Sequence, residues 1–278
     1  MPKNIILNSL KESFAAIWKN KSLFLLLLIL QVAFFSAFLF LSQAYLIKIL
    51  ENAKAISDYM SRQKLDDVSV ASGILQQKDI LGDDPLSISR NFSEMAGNLR
   101  TYLIYVFILL AIMASINWTL PNKLIHKSGL RQLFKLFLKN LAVVSLYLAF
   151  IFSFFFSLFS ISITEAAAQS SKLLAKYVPF LIFSIVLIYF MFVSLSLLSN
   201  TELKNIVQRT LAIGIKRMHY IFAAYSINML LLAIPLILLY YLAENSFIVL
   251  LLSLSLAISS FVFGRIFMIS VVKKLNAE

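Results

Sequence analysis

The chain has 278 residues, of which 60% are hydrophobic and 14% are charged. Soluble globular domains contain about 45–50% apolar and about 25% charged residues, so this composition excludes a water-soluble globule, a disordered chain and a collagen-like repeat. The absence of cysteine excludes disulfides, thiolate metal sites and cysteine nucleophiles. The net charge of +12 would suggest nucleic acid as a partner of a soluble chain. In a membrane protein it bears on topology instead, and no nucleic-acid partner is expected.

Six apolar stretches are long enough to cross a bilayer. A helix rises about 1.5 Å per residue and must cross about 30 Å of hydrocarbon, so each span needs about 20 residues. The sequence therefore predicts an all-α, polytopic membrane protein with six transmembrane helices in a single membrane domain over residues 1–278. The predicted spans are 23–47, 101–121, 141–164, 177–200, 220–243 and 246–272.

The distribution of charge along the chain predicts the orientation. With the N-terminus inside, the inner segments carry 16 Lys and Arg and three acids, whereas the outer segments carry nine basic and ten acidic residues. Membrane proteins keep Lys and Arg in the cytoplasmic loops. We therefore expect an N-in/C-in topology, with both termini cytoplasmic, in a prokaryotic plasma membrane.

Each inner segment combines an amphipathic stretch, a basic residue or pair, and a following span. Interfacial amphipathic helices are predicted over residues 4–20, 125–139 and 202–218 on the cytoplasmic side, since apolar residues recur there at helical spacing. Trp18 suits the depth of the headgroups. The basic side chains of these segments are candidate contacts for lipid headgroups: Lys19, Lys21, Arg131, Lys135, Lys139, Lys216 and Arg217.

The inner segments also suggest an internal repeat of an interfacial helix, an outward span and an inward span. The alternative is that any inner loop ahead of a span is basic and amphipathic. The basic pairs that precede the outward spans are Lys19-Asn20, Lys139-Asn140 and, departing from the pattern, Lys216-Arg217. With these pairs the chain resembles uncharacterised prokaryotic six-span integral membrane proteins whose spans follow an interfacial helix ending in a Lys-Asn-like pair. The resemblance covers the whole chain and implies a fold type and no activity.

Residues 48–100, between the first two spans, are predicted to form an outer helical hairpin. Apolar residues continue the helical spacing of the first span, and Asp83-Asp84-Pro85 is typical of a helix start. Carboxylates near the tip are either a docking surface for a partner protein or ordinary solvated loop residues. They are Asp66, Asp67, Asp79, Asp83 and Asp84.

The charge-free cores of the spans, of which the sixth ends at Gly264, contain no Asp, Glu, Lys, Arg or His. Ion-coupled transport and proton relays usually rely on such groups, so these functions are not expected. Arg265 is expected to extend inward toward Lys273 and Lys274, while Gln31 and Asn228 are expected to bridge helices rather than line a cavity. No acid–base pair converges and no glycine-rich phosphate loop is present, so we predict no catalytic, metal or cofactor site.

Two spans carry stripes of small residues at spacings of three and four. Small residues let helix backbones approach closely in lipid, so the stripes predict helix contacts. A polar groove for a lipid headgroup or a polypeptide is the alternative. The stripes are Ser145, Ala149, Ser153 and Ser157 in the third span, and Ser253, Ala257, Ser260 and Gly264 in the sixth.

These features predict a non-enzymatic integral membrane protein that acts as a scaffold, an assembly factor or a lipid-interacting factor. Its expected partner is membrane lipid, and a protein partner would meet the outer hairpin or the inner amphipathic helices. The alternative is the membrane subunit of an exporter driven by a separate ATPase, with residues 125–139 as the coupling helix. A membrane-bound enzyme acting on lipid has the least support.

Overall fold

The computed structural model of the chain describes residues 4–62, 86–125, 129–158, 170–199, 201–242 and 247–277, and 96% of these residues are helical. A single 3-10 turn, Leu203–Asn205, precedes the sixth α-helix. The α-helices are α1 Ile5–Lys19, α2 Lys21–Arg62, α3 Ser87–Ile125, α4 Leu130–Leu158, α5 Ser170–Leu197, α6 Ile206–Lys216, α7 Met218–Leu242 and α8 Phe247–Ala277.

Six of these helices, α2, α3, α4, α5, α7 and α8, are long and apolar enough to cross a membrane. Among the described residues, the number of helices that could span a membrane therefore equals the predicted six. Their length and composition fit an integral membrane protein, because only helices or closed barrels satisfy backbone hydrogen bonds in hydrocarbon.

Two of the inner amphipathic segments form helices that are separated from the following span by a break. α1 ends at Lys19, and Asn20 leaves helical geometry with φ −128° and ψ 54° while its backbone N–H donates to the carbonyl of Ala16. α6 ends at Lys216, and Arg217 makes the turn into α7. These breaks allow α1 and α6 to change direction relative to the spans.

The structure differs from the prediction at residues 125–139, which do not form a separate helix. Ile125 ends α3, and α4 runs without a break through Asn140 into the third span. α4 contains no Gly or Pro that would end it early. The Nδ2 of the buried Asn140 donates to the Oγ1 of Thr119 on α3, at 2.8 Å, so this side chain bonds a neighbouring helix instead of ending its own. A free-standing coupling helix is thus not formed at this position.

α8 lies at the centre of the described bundle. It contacts α1, α2, α3, α5, α6 and α7. Residues 266–272 of α8 are all buried, which is typical of an apolar helix enclosed on every side. The last span is therefore the element around which the others pack.

Three contacts place the predicted inner segments together at one end of the bundle. Glu12 of α1 forms an ion pair with Lys274 of α8 at 3.1 Å. Arg209 of α6 donates to Oδ1 of Asn276 on α8 at 2.9 Å. The bond of Asn140 ties the first part of α4 to the last part of α3. We call this region, formed by residues 5–21, residues 130–140, residues 206–217 and the C-terminal part of α8, the basic end.

At the other end, α2 and α3 extend beyond the predicted spans, as far as Arg62 and from Ser87. The two helices pack against each other, and the hydroxyls of Ser42 and Tyr102 are hydrogen-bonded at 2.9 Å. The connecting tip, with its aspartates and the proposed helix start at residues 83–85, lies outside the described residues. The outer hairpin stays a prediction.

Candidate functional site

A cavity of about 300 Å³ lies between α2, α3, α5, α7 and α8. Its walls are mainly aromatic and aliphatic, and the ring of Trp118 stacks on that of Phe192 with centroids 5.6 Å apart. Met229 and Phe261 line the cavity and are also 66% and 41% exposed, so they mark its mouth. Met229 follows the start of α7 by about 16 Å along the helix axis. The mouth therefore opens on the side of the bundle, at a depth where acyl chains would surround it.

A polar cluster from three helices borders this cavity. Nη2 of Arg265 donates to Oε1 of Gln31 at 2.7 Å, and Nδ2 of Asn117 donates to the same oxygen at 3.4 Å. Gln31 is only 1% exposed, and it follows Lys21 by about 15 Å of helix rise. The guanidinium therefore lies well inside the bundle, near half the thickness of a hydrocarbon layer.

The position of Arg265 corrects the prediction made from the sequence. The side chain does not extend toward Lys273 and Lys274, which lie instead beside Glu12 at 3.9 and 3.1 Å. Since residues 266–272 are enclosed, the Arg265 side chain has no lipid-facing route along α8 to the membrane surface. The carbonyl of Gln31 is the acceptor within its reach.

The positive charge of Arg265 has no carboxylate beside it in the cavity. The described lining contains no Asp or Glu, and Nη1 of Arg265 is buried without a hydrogen-bond partner. A buried charge without a counter-charge is costly in a region of low dielectric. The cavity is therefore an electropositive compartment with apolar walls.

Asn228 brings α7 close to α8 beside the same cavity. Its Nδ2 donates to the carbonyl of Gly264 at 3.2 Å. A Cβ at position 264 would lie 3.2 Å from both Cγ and Oδ1 of Asn228, so glycine permits this approach. Ser260 Oγ also donates to the carbonyl of Leu231, at 3.0 Å. Gln31 and Asn228 thus bridge helices as predicted, and Asn228 lines a cavity as well.

Four buried polar atoms on residues that line the cavity have no hydrogen-bond partner. Most buried polar atoms in proteins are bonded, and four of the ten exceptions among the described residues belong to residues that line this cavity. The four belong to α3, α7 and α8. They are Oδ1 of Asn117, the hydroxyl of Tyr225, Oδ1 of Asn228 and Nη1 of Arg265.

The candidate headgroup contacts all belong to the basic end and do not line the cavity. Five are exposed and two are half-buried, and Nζ of Lys139 donates to the carbonyl of Thr201 at 3.4 Å. Nζ of Lys21 lies 4.0 Å from the ring centroid of Trp18, which is 74% exposed. The exposed five are Lys19, Lys21, Arg131, Lys135 and Lys216, and the half-buried two are Lys139 and Arg217.

Three exposed apolar stripes accompany these cations, one on each inner segment. Soluble proteins rarely expose such stripes, whereas a helix at a membrane interface directs its apolar side toward the acyl chains. The stripes are Leu7, Phe14 and Trp18 on α1, Leu130, Phe134 and Leu138 on α4, and Val207, Leu211 and Ile215 on α6.

The contact between α1 and α8 includes an ion pair between Glu12 and Lys274. Burial raises the pKa of Glu12, but hydrogen bonds from Lys274 and Ser270 and the charges of Lys274 and Lys273 outweigh this effect, so the pKa is lowered from its ordinary value of 4.5. The carboxylate therefore stays ionised at neutral pH and holds α1 against α8.

The two small-residue stripes have different surroundings. In the sixth span, Ser253 and Ala257 are buried, and Ser260 and Gly264 form the bonds to α7 described above. In the third span, Ser145 is half-buried, Ala149 and Ser153 are exposed, and Ser153 Oγ bonds only to a carbonyl of its own helix. The side chain of Ser157 is not described. The buried side of α4 carries larger aliphatic residues instead: Val143, Val144, Leu148 and Ile151.

Sequence reasoning did not identify Asn117 and Tyr225 as part of a site. Asn117 interrupts the apolar run of the second span, and a single amide in such a run is the signal that had already drawn attention to Gln31 and Asn228. Tyr225 carries no comparable signal, because tyrosine is common in membrane helices.

The residues described here provide no group of three or more His, Cys, Asp and Glu that could hold a metal ion. Comparisons of the chain with protein-family models, with curated proteins and with solved structures find no match.

Proposed function

We propose that the protein is a non-enzymatic, lipid-interacting integral membrane protein, whose basic end binds anionic lipid at the cytoplasmic face of a prokaryotic plasma membrane. The observation that carries this proposal is the combination of an exposed apolar stripe and exposed cations on each of the three inner segments. The proposed orientation, with both termini inside, follows from the excess of Lys and Arg in these segments.

The boundary between headgroups and acyl chains satisfies both features at once. Exposed apolar surface costs about 25 cal/mol per Å² in water, and this cost is removed when a stripe lies among acyl chains. A cation beside an anionic leaflet contributes about 1 kcal/mol. The five exposed candidate headgroup contacts thus supply roughly 5 kcal/mol toward an anionic surface at low salt, and salt weakens this attraction.

The chain contains only two tryptophans, Trp18 and Trp118, which makes the proposal testable by fluorescence. Trp118→Phe leaves Trp18 as the single indole, on the exposed stripe of α1. In bilayers whose lipids carry bromine at known depths, we expect the strongest quenching of Trp18 by bromine close to the headgroups. Strongest quenching by bromine at the bilayer centre, or none at all, would contradict an interfacial α1.

A charge-matched pair of variants tests the preference for anionic lipid. In Trp118→Phe protein, brominated anionic lipid at low fraction should quench Trp18 more than brominated zwitterionic lipid. Lys19→Gln with Lys21→Gln should remove that difference, because both cations lie beside Trp18. Lys48→Gln with Lys54→Gln, which removes two exposed cations nearer the opposite end of α2, should leave it intact. Equal effects of the two changes would argue against binding at the basic end.

A further inference from the structure

We infer that the cavity between α2, α3, α5, α7 and α8 binds the headgroup of an anionic lipid, with the lipid oxyanion held by Arg265. This goes beyond the surface contacts of the basic end, because it places one lipid headgroup inside the helix bundle. It rests on the proposed membrane location and is independent of the orientation and of the basic end.

The positive charge of Arg265 has no counter-charge in the described lining of the cavity. Among the described residues, the one acceptor of Arg265 is the neutral carbonyl of Gln31, and Nη1 is buried without a partner there. A guanidinium pairs with carboxylates and phosphates, so an oxyanion that reaches Arg265 from the cavity supplies the counter-charge that the described lining does not.

The other unpartnered groups determine which hydrogen-bond donors and acceptors the headgroup must carry. The hydroxyl of Tyr225 can donate to an oxyanion, whereas Oδ1 of Asn228 and Oδ1 of Asn117 can only accept. A headgroup that combines an oxyanion with a hydroxyl satisfies donors and acceptors together. A phosphodiester lipid with a polyol headgroup has this combination.

The mouth and the walls indicate a lipid rather than a water-soluble anion. The mouth is flanked by Met229 and Phe261 on the lipid-facing side of the bundle, and Trp118 and Phe192 form part of the wall. A free anion and a lipid headgroup would both have to reach this depth from the interface, but the acyl chains attached to a headgroup fit an apolar mouth, which a free anion does not need. The volume of about 300 Å³ is at the small end for ligand pockets, so it takes a headgroup while the acyl chains leave past the mouth.

Trp118 provides a direct reporter of occupancy. Trp18→Phe leaves Trp118 as the only indole, and at 5% exposure it is shielded from bulk lipid while it lines the cavity. The protein is placed in nanodiscs of unlabelled phosphatidylcholine with a small fraction of either phosphatidylglycerol or phosphatidylcholine, both with the same brominated chains. We expect half-maximal quenching of Trp118 at an about tenfold lower fraction of phosphatidylglycerol, the ratio that one charge-assisted hydrogen bond supplies.

Variants at two positions separate binding from folding. Arg265→Met should abolish the preference, and Arg265→Lys should keep part of it. Gln31→Glu should also abolish the preference while the protein stays folded, because a carboxylate at position 31 would neutralise the guanidinium from within. Lys48→Met, which removes an exposed cation outside both the basic end and the cavity, is the matched control and should leave Trp118 quenching unchanged.

Three outcomes would overturn the inference. The first is equal quenching of Trp118 by the two brominated lipids, and the second is no quenching by either. The third is loss of the preference when millimolar inorganic phosphate is added, because that result would assign the site to a soluble oxyanion. Selective quenching of Trp118 in the Trp18→Phe protein, together with no interfacial quenching of Trp18 in the Trp118→Phe protein, would support the cavity and overturn the proposed function. Interfacial quenching of Trp18 without selective quenching of Trp118 would support the proposed function and overturn the cavity.

Discussion

The bond between Arg265 and Gln31 can be tested by a double-mutant cycle with Gln31→Leu and Arg265→Leu. Leucine is close to glutamine in volume, so the first change removes the acceptor with little cavity formation. It leaves the guanidinium buried with no protein partner for Nη2, which is 2.7 Å from the Gln31 carbonyl in the native protein. Arg265→Leu removes the charge and the bond together.

The magnitudes follow from the geometry. Gln31→Leu should cost about 2–3 kcal/mol, the range for a hydrogen bond to a charged group, because the second bond to this carbonyl, from Asn117 at 3.4 Å, is long and contributes little. Arg265→Leu should cost about 1 kcal/mol or less, because no unpaired charge remains. The double variant should then resemble Arg265→Leu, which gives a coupling energy of about 2 kcal/mol.

Thermal unfolding in detergent, without added anionic lipid, is the appropriate assay because a bound anion would mask the effect of Gln31→Leu. A loss of 2–3 kcal/mol corresponds to a Tm lower by about 5–10 °C for a chain of this size. The double variant should recover most of that loss. A Gln31→Leu protein as stable as the native one, or a double variant less stable than Gln31→Leu, would show that the guanidinium does not depend on this acceptor.

Two further predictions concern helix packing and the contact of α1 with α8. Ser153→Leu should change the free energy of unfolding by less than about 0.5 kcal/mol because Ser153 is exposed. Ala257→Leu should lower it by about 1–3 kcal/mol because Ala257 is buried. Unfolding midpoints that ranked the two variants the other way would contradict the packing of α8. The lowered pKa of Glu12 stabilises the fold above the ordinary value of 4.5, and this contribution is lost as the pH falls through the folded-state value. Glu12→Gln should therefore be less stable than the native protein at pH 7, and the difference should narrow as the pH falls below 4.5. A difference that stays constant as the pH is lowered would exclude the ion pair with Lys274 as the cause.

The number of spans could be predicted because it depends on the length of apolar runs, which is a local property. The boundaries between the inner segments and the spans that follow them could not be predicted equally well. A Lys-Asn pair precedes both the first and the third span, yet the helix breaks at Asn20 and continues through Asn140. The difference arises from a tertiary contact, since Asn140 bonds to Thr119 on another helix, and local sequence does not contain that partner.

The cavity could be predicted only in part, for the same reason. Gln31 and Asn228 are visible as isolated amides in apolar runs, and both bridge helices in the structure. Arg265 was expected near the membrane surface because a long side chain can usually reach it, but α8 is enclosed beyond that residue. Its actual partner, Gln31, is 234 residues away in sequence. An assignment from sequence would have required knowing that α8 is central to the bundle.

The orientation of the basic end underlies the proposed function, and the absence of native cysteine allows a direct measurement of it. Lys11→Cys on α1 and Glu94→Cys near the start of α3 introduce single exposed thiols toward opposite ends of the bundle. In intact bacterial cells, a membrane-impermeant maleimide should label the protein with cysteine at position 94 and should label the one at position 11 only after permeabilisation. Labelling at position 11 but not at position 94 in intact cells would place the basic end outside and contradict the account.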